Sequence, residues 1–244
     1  MSSPAPEGVR LNKFLASCGV GSRRACDALV QEGQVLVNGE IELNPAYRVQ
    51  PEDSVRAEGK TLTEKRLQTL VVHKPAGLVC SRFDEEGKPT VYSLLPGRFH
   101  HLAHVGRLDL DSEGLLLMSN DGELTQALTH PSHKIPKIYH VTLVSAFDNN
   151  ILDQLKNGVY SQNLGFKLRA DSVKRLSSRR IEIILTSGKK RQIREMIMGV
   201  GHRVNRLIRY EVGPLHLGDL PVGRWRVLEP SERQALVQAS QKGR

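Results

Sequence analysis

Cysteine is scarce in this sequence: Cys18, Cys26 and Cys80 are the three in 244 residues, and no two stand in a CxxC spacing. That argues against a disulfide framework and against a cysteine zinc site. Long apolar runs are also missing, none approaching the ~18 residues that a membrane-spanning helix needs. The opening MSSPAPEGVR lacks the apolar stretch of a secretory signal, so a soluble protein of the cytoplasm is expected, without a membrane partner. No GxxxxGK[ST] phosphate loop occurs, and Gly87, Gly97 and Gly106 are too scattered to build one. His100 and His104 stand four apart, but no carboxylate or cysteine nearby completes a metal set, and no metal is expected. Low-complexity segments are absent, and 39% hydrophobic with 25% charged residues is an ordinary globular composition.

Acidic residues are in deficit, 26 against 35 Lys and Arg, for a formal charge of +9. Residues 1–68 balance at nine of each sign, so the whole surplus belongs to residues 69–244, and 167–209 alone holds thirteen basic side chains against three acidic. Surplus concentrated in this way suits a polyanionic partner, since neutralising phosphates releases their counterions.

At the N-terminal end, Leu11, Phe14, Leu15 and Cys18 repeat at helical spacing over 10–18, and Ser22 is a good N-cap for a second helix over 23–32. Val35-Leu36-Val37 then runs into Asn38-Gly39, a strong hairpin signal. RLNKFLASCGVGSRRACDALVQEGQVLVNG, residues 10–39, resembles the S-four-type RNA-binding domain, an αα-hairpin followed by β structure. The resemblance implies backbone contacts to structured RNA from Lys13, Ser22, Arg23 and Arg24 in a domain spanning 9–56. Residues 57–68, AEGKTLTEKRLQ, carry no apolar period and are expected to be a linker.

A second domain over 69–236 opens with the apolar run Leu70-Val71-Val72, turned by Pro75 and Gly77. Strands are expected at 114–118, 138–144 and 180–185, and helices at 123–130, 151–156 and 191–200. On the last helix Ile193, Met196, Ile197 and Val200 form one stripe, with Arg194 at its edge and Glu195 outward. The irregular interleaving predicts an α+β fold with a mixed, mostly antiparallel sheet.

VGRLDLDSEGLLLMSNDG, residues 105–122, places Asp109 and Asp111 ahead of an apolar strand and ends on an Asn-Asp-Gly turn. An i, i+2 pair in extended chain lies on one side, where repulsion raises one pKa unless a cation intervenes. Such a pair fits a glycosidase-like site, and equally two loop carboxylates capping turns. The block is similar to the aspartate motif of the RsuA/RluB/RluE/RluF family of pseudouridine synthases. Three more blocks agree in order and spacing: HKPAGLVCS at 73–81, PKIYHVTL at 136–143 and GKKRQIREM at 188–196. With the N-terminal domain, the resemblance covers about residues 10 to 235.

What the resemblance implies is a cofactor-free isomerisation of uridine to pseudouridine in ribosomal RNA, free or in a pre-ribosomal particle, by a monomer. Large-subunit RNA is modestly preferred, and a non-catalytic RNA-binding or ribosome-assembly factor is the alternative. Asp109 is the implied catalytic carboxylate, either attacking the anomeric carbon or removing the ribose 2′ proton. Tyr139 would stack on the detached base, and Arg194 would keep Asp109 ionised as a planar bidentate partner. Implied RNA contacts in this domain are Lys74, Arg107, Lys137, Lys189, Lys190 and Arg191. The sequence departs from the family pattern at Ser112 (threonine), His73 (asparagine) and Glu195 (arginine), and the outward Glu195 is expected to weaken a local RNA contact.

Overall fold

The computed structural model describes residues 8–242, which divide into two compact units between Leu67 and Gln68. In the smaller unit, helices α1 (Leu11–Ser17) and α2 (Arg23–Gln31) bury Leu11, Leu15, Cys26 and Val30 against Val35, Val37 and Val55 of a small sheet. Ser22 accepts the Ala25 N–H at 3.2 Å, the cap its residue type favours. Asn12 donates to Asp27 at 2.7 Å and fastens one helix to the other. Strands β1 (Val35–Val37) and β2 (Glu40–Ile41) meet at Asn38-Gly39, whose φ values of 54° and 90° make the left-handed turn that this dipeptide favours.

The expected linker over 57–68 needs correction. Ala57 ends β3 (Val55–Ala57), and Lys60–Thr61 forms β4, giving a sheet of order β2-β1-β3-β4. The turn at Glu58-Gly59 is left-handed at both residues, with φ of 51° and 73°. An exposed two-residue edge strand shows no apolar period, which is why it reads as linker.

The larger unit is built on a nine-stranded sheet. Its main path uses β5 (Thr69–Lys74), β6 (Glu113–Ser119), β7 (Lys137–Leu143), β8 (Ser172–Arg175), β9 (Arg180–Leu185), β10 (Val204–Val212) and β11 (Trp225–Val227), in the order β8-β9-β7-β10-β6-β5-β11. Every neighbour on the path is antiparallel except β10 and β6, which run parallel through Ile208↔Glu113 and Arg209↔Gly114. The sheet is thus mixed and mostly antiparallel, as the α+β reading predicts.

Alternation along the strands sends side chains to opposite faces. Leu70, Val72, Leu116 and Met118 pack with Phe99, Leu102 and Leu108, while Val71, Leu115 and Leu117 pack with α3 (Gly122–Thr129) and α6 (Pro230–Lys242). Val141, Leu143, Ile181 and Ile183 are covered by α4 (Asn150–Asn157) and α5 (Gln192–Gly199). Asp121 caps α3 by accepting the Glu123 and Leu124 N–H groups, and Arg233 of α6 donates to the same carboxylate at 3.0 Å. Neither β10 nor α6 is foreseen from the sequence: β10 lies in the basic run, and α6 has only a weak apolar stripe.

Candidate active site

Strand β5 delivers the first component. All six of its residues are buried, and its last, Lys74, is fully so. The ammonium donates to the backbone carbonyls of Ser112 at 2.7 Å, Pro75 at 3.0 Å, Asp109 at 3.1 Å and Leu110 at 3.4 Å. Asp109 to Ser112 form a turn closed by Ser112 N–H on Asp109 O, and Gly77 N–H adds a bond to Leu110 O at 2.7 Å. The turn that presents Asp109 is therefore held from beneath by a buried cation. This corrects the expectation that Lys74 touches RNA: no atom of it reaches the surface, and burial pulls its pKa below the usual lysine range.

Asp109 itself is half-buried, and among the described residues its carboxylate makes no hydrogen bond or ion pair. Asp111 is the carboxylate that carries the arginines. Arg191 holds it bidentately at 3.2 and 3.1 Å; Arg194 Nη2 donates to its main-chain oxygen at 2.7 Å, and Arg194 Nε lies 3.2 Å from Oδ2. The expected Arg194–Asp109 ion pair is thus replaced by one to Asp111, two residues on. Burial pushes the Asp111 carboxyl up, but the Arg191 hydrogen bond and the Arg194 charge bring it below the ordinary range. Burial pulls Arg194 down, as its side chain is only 14% exposed. Arg191 caps α5 with φ 52°, a left-handed conformation uncommon outside glycine.

Tyr139, half-buried on β7, packs against both cores of its sheet face, including the cluster that holds Leu108, the neighbour of Asp109. Lys137 lies two residues earlier on the same side of the strand. Its ammonium donates to Ile135 O at 3.1 Å, and burial, with the Arg209 charge close by, takes its pKa down to about 8. The half-buried amine is thus already engaged with the chain's own backbone. Glu195 also points inward: it is 9% exposed and accepts from Ser161 at 2.7 Å and Asn163 at 3.1 Å. A single idealised helix angle missed this because the hairpin Val159–Ser161/Phe166–Leu168 covers that side of α5.

Over residues 68–198 the sequence matches the RNA pseudouridylate synthase family, and over 9–55 the S4 domain. The chain belongs to the RNA pseudouridylate synthase family. It is 34% identical to an Aquifex aeolicus (strain VF5) protein named an uncharacterized RNA pseudouridine synthase, covering 95% of this chain and 94% of that one. It is 35% identical to ribosomal large subunit pseudouridine synthase B of Yersinia pestis, covering 91% and 73%. A crystal structure of a pseudouridylate synthase superposes with a TM-score of 0.69 at 29% identity, covering 94% of this chain and all of that one. The activity of this pseudouridylate synthase is the isomerisation of uridine in RNA.

The remaining expected RNA contacts of this pseudouridylate synthase separate by exposure. Lys13, Ser22, Arg23 and Arg24 are exposed in the smaller unit, although the Ser22 hydroxyl already serves as a helix cap. Arg107, Lys189 and Lys190 are exposed in the larger one, and Arg191 is exposed but committed to Asp111. Among the described residues no group of three His, Cys, Asp or Glu is placed to hold a metal ion. Sequence reasoning missed Arg209, which is 4% exposed on β10 and donates to Leu115 O and Arg107 O. No usable signal lay in the sequence, since that Leu207 and Arg209 share a strand face is known only once β10 is seen to be a strand.

Proposed function

We propose that this enzyme isomerises a uridine of ribosomal RNA, with large-subunit RNA the preferred substrate, and that it acts as a cytoplasmic monomer on free RNA or a pre-ribosomal particle. Residues 69–236 carry the chemistry and residues 9–56 dock the RNA through Lys13, Ser22, Arg23 and Arg24. The bond between the anomeric carbon and base nitrogen 1 breaks, the base turns, and carbon 5 bonds to the anomeric carbon. The carbon 5 proton leaves and nitrogen 1 gains one, so the product is an isomer and no cofactor is consumed. Asp109 acts either on the anomeric carbon or on the ribose 2′ proton. Tyr139 stacks on the detached base, and Arg194, seated on Asp111 at the same turn, supplies positive charge beside Asp109. Arg107, Lys189 and Lys190 meet phosphates around the extruded nucleotide.

One observation carries this reading: a turn immobilised by Lys74 presents a half-buried Asp109, unpaired among the described residues, beside the arginine pair on Asp111. The choice of RNA is supported by the relatives named for large-subunit ribosomal RNA in Yersinia pestis and Salmonella typhimurium. The test is tritium release from carbon-5-tritiated uridine in small- and large-subunit transcripts and in partly assembled particles, with wild type and Asp109→Asn. Release from large-subunit RNA, abolished in Asp109→Asn while RNA binding persists, is the expected result. Binding without release from any substrate would leave an assembly factor instead.

A further inference from the structure

We infer that Arg209 is a positioning residue for the isomerisation, tying together the two ends of the loop that carries Asp109 and joining that loop to the strand that carries Tyr139. The inference rests on the roles proposed above for Asp109 and Tyr139.

Arg209 is 4% exposed, in the middle of β10. An arginine this deep needs its donors satisfied, and usually a carboxylate does so. Here the partners are backbone carbonyls: Nε donates to Leu115 O at 2.8 Å, and Nη1 donates to Arg107 O at 3.4 Å. Those two carbonyls bracket residues 108–114, the segment that contains Asp109, Asp111 and the Lys74-bound turn. Lys74 bonds the middle of the segment and Arg209 its ends, so two buried cations from different strands define its backbone path. The planar guanidinium suits this task, since it aims donors at two separated acceptors from one rigid group, whereas an ammonium is a single compact donor.

The main chain of Arg209 makes two further connections. On one side it lies opposite Gly114 in the parallel pairing of β10 with β6, and a Cβ on Gly114 would fall 2.3 Å from the Arg209 oxygen. Glycine, at φ 110°, is what allows the approach. On the other side Arg209 lies opposite Tyr139 of β7, next to an irregularity in the register. One residue therefore links the end of the Asp109 loop, the start of β6 and the Tyr139 strand. Displacing it would move the carboxylate relative to the ring, and with it relative to any nucleotide held between them.

Arg209→Lys keeps the charge and most of the bulk but loses the fork. Three quantities are compared with wild type and Asp109→Asn: single-turnover tritium release at saturating enzyme, RNA affinity, and hydrogen–deuterium exchange over 107–115. The expected result is a rate lowered by about 10²-fold, as for a misplacement of about 1 Å, with RNA affinity unchanged and faster exchange confined to 107–115. A loss in rate without loss of affinity marks positioning of the chemistry. An undiminished rate, or unchanged exchange over 107–115, overturns the inference. So does failure of both Arg209→Lys and Arg209→Gln to fold, which would assign the residue to stability alone. A wild type that releases no tritium from any RNA sinks the proposed function and this inference together; wild-type release with an undiminished Arg209→Lys rate sinks this inference alone.

Discussion

Replacing Lys74 with methionine removes an ammonium from a place that water does not reach. The side chain is fully buried, and three of its donations, to Ser112, Pro75 and Asp109, are 3.1 Å or shorter. A hydrogen bond from a charged donor contributes about 1.5–3 kcal/mol, so the three together are worth about 5–9 kcal/mol gross. Against this stands the cost of holding an ion out of water, still several kcal/mol after relaxation. Methionine removes both contributions and takes the ammonium donor away from the Ser112 and Pro75 carbonyls, while Asp109 O keeps the Ser112 N–H, for a net loss on the order of 2–4 kcal/mol. In a chain of this length that lowers the thermal midpoint by roughly 5–15 °C. Tritium release per folded molecule should fall as the turn loosens, while RNA affinity and its salt dependence stay as in wild type. A phosphate-contacting lysine behaves in the opposite way: its loss weakens binding and lowers the salt slope by about one. Lys74→Met with an unchanged midpoint and a reduced salt slope would refute the argument from burial.

Two further perturbations test the same architecture. Gly114→Ala puts a Cβ 2.3 Å from the Arg209 oxygen at φ 110°, combining about 1–3 kcal/mol of backbone strain with about 1–3 kcal/mol of overpacking; a wild-type urea midpoint would contradict the close approach of β10. Lys137, with its pKa near 8 in the fold, is protonated in both states below that value. Between there and the ordinary lysine value near 10.4, the unfolded chain keeps a proton that the folded chain has released, so wild-type stability rises with pH by about 3 kcal/mol. Lys137→Met lacks that rise, so its stability relative to wild type should be greatest at pH 7 and shrink by pH 10. Parallel urea stabilities at the two pH values would show that the amine is not buried as a cation.

How much could be read from the chain depended on how local the cause was. The helices over 11–17 and 23–31, the Asn38-Gly39 turn and the strand over 180–185 follow from spacing and turn chemistry within a few residues, and each stands within one residue or so of its expected bounds. The four motif blocks placed Asp109, Tyr139 and Arg194 in one larger unit with no structure in hand. The sheet's central strand β10 was not legible, because its arginines make it resemble an exposed basic run, and the short edge strand β4 was not, because two exposed residues carry no period.

Resemblance to a family singled out Asp109, and the sequence by itself determined the types of its locally patterned elements and the division into a charge-balanced and a basic part. Composition and short-range spacing suffice for these, since caps, turns and apolar periods act within one or two turns of chain. Tertiary structure alone decided which cations lie at the surface and which face inward. Lys74 meets Ser112 across 38 positions and Arg209 meets Leu115 across 94, and Arg194 is claimed by Asp111 across 83. The fate of a charge depends on the dielectric and the acceptors around it, and these are assembled by strands far apart in sequence.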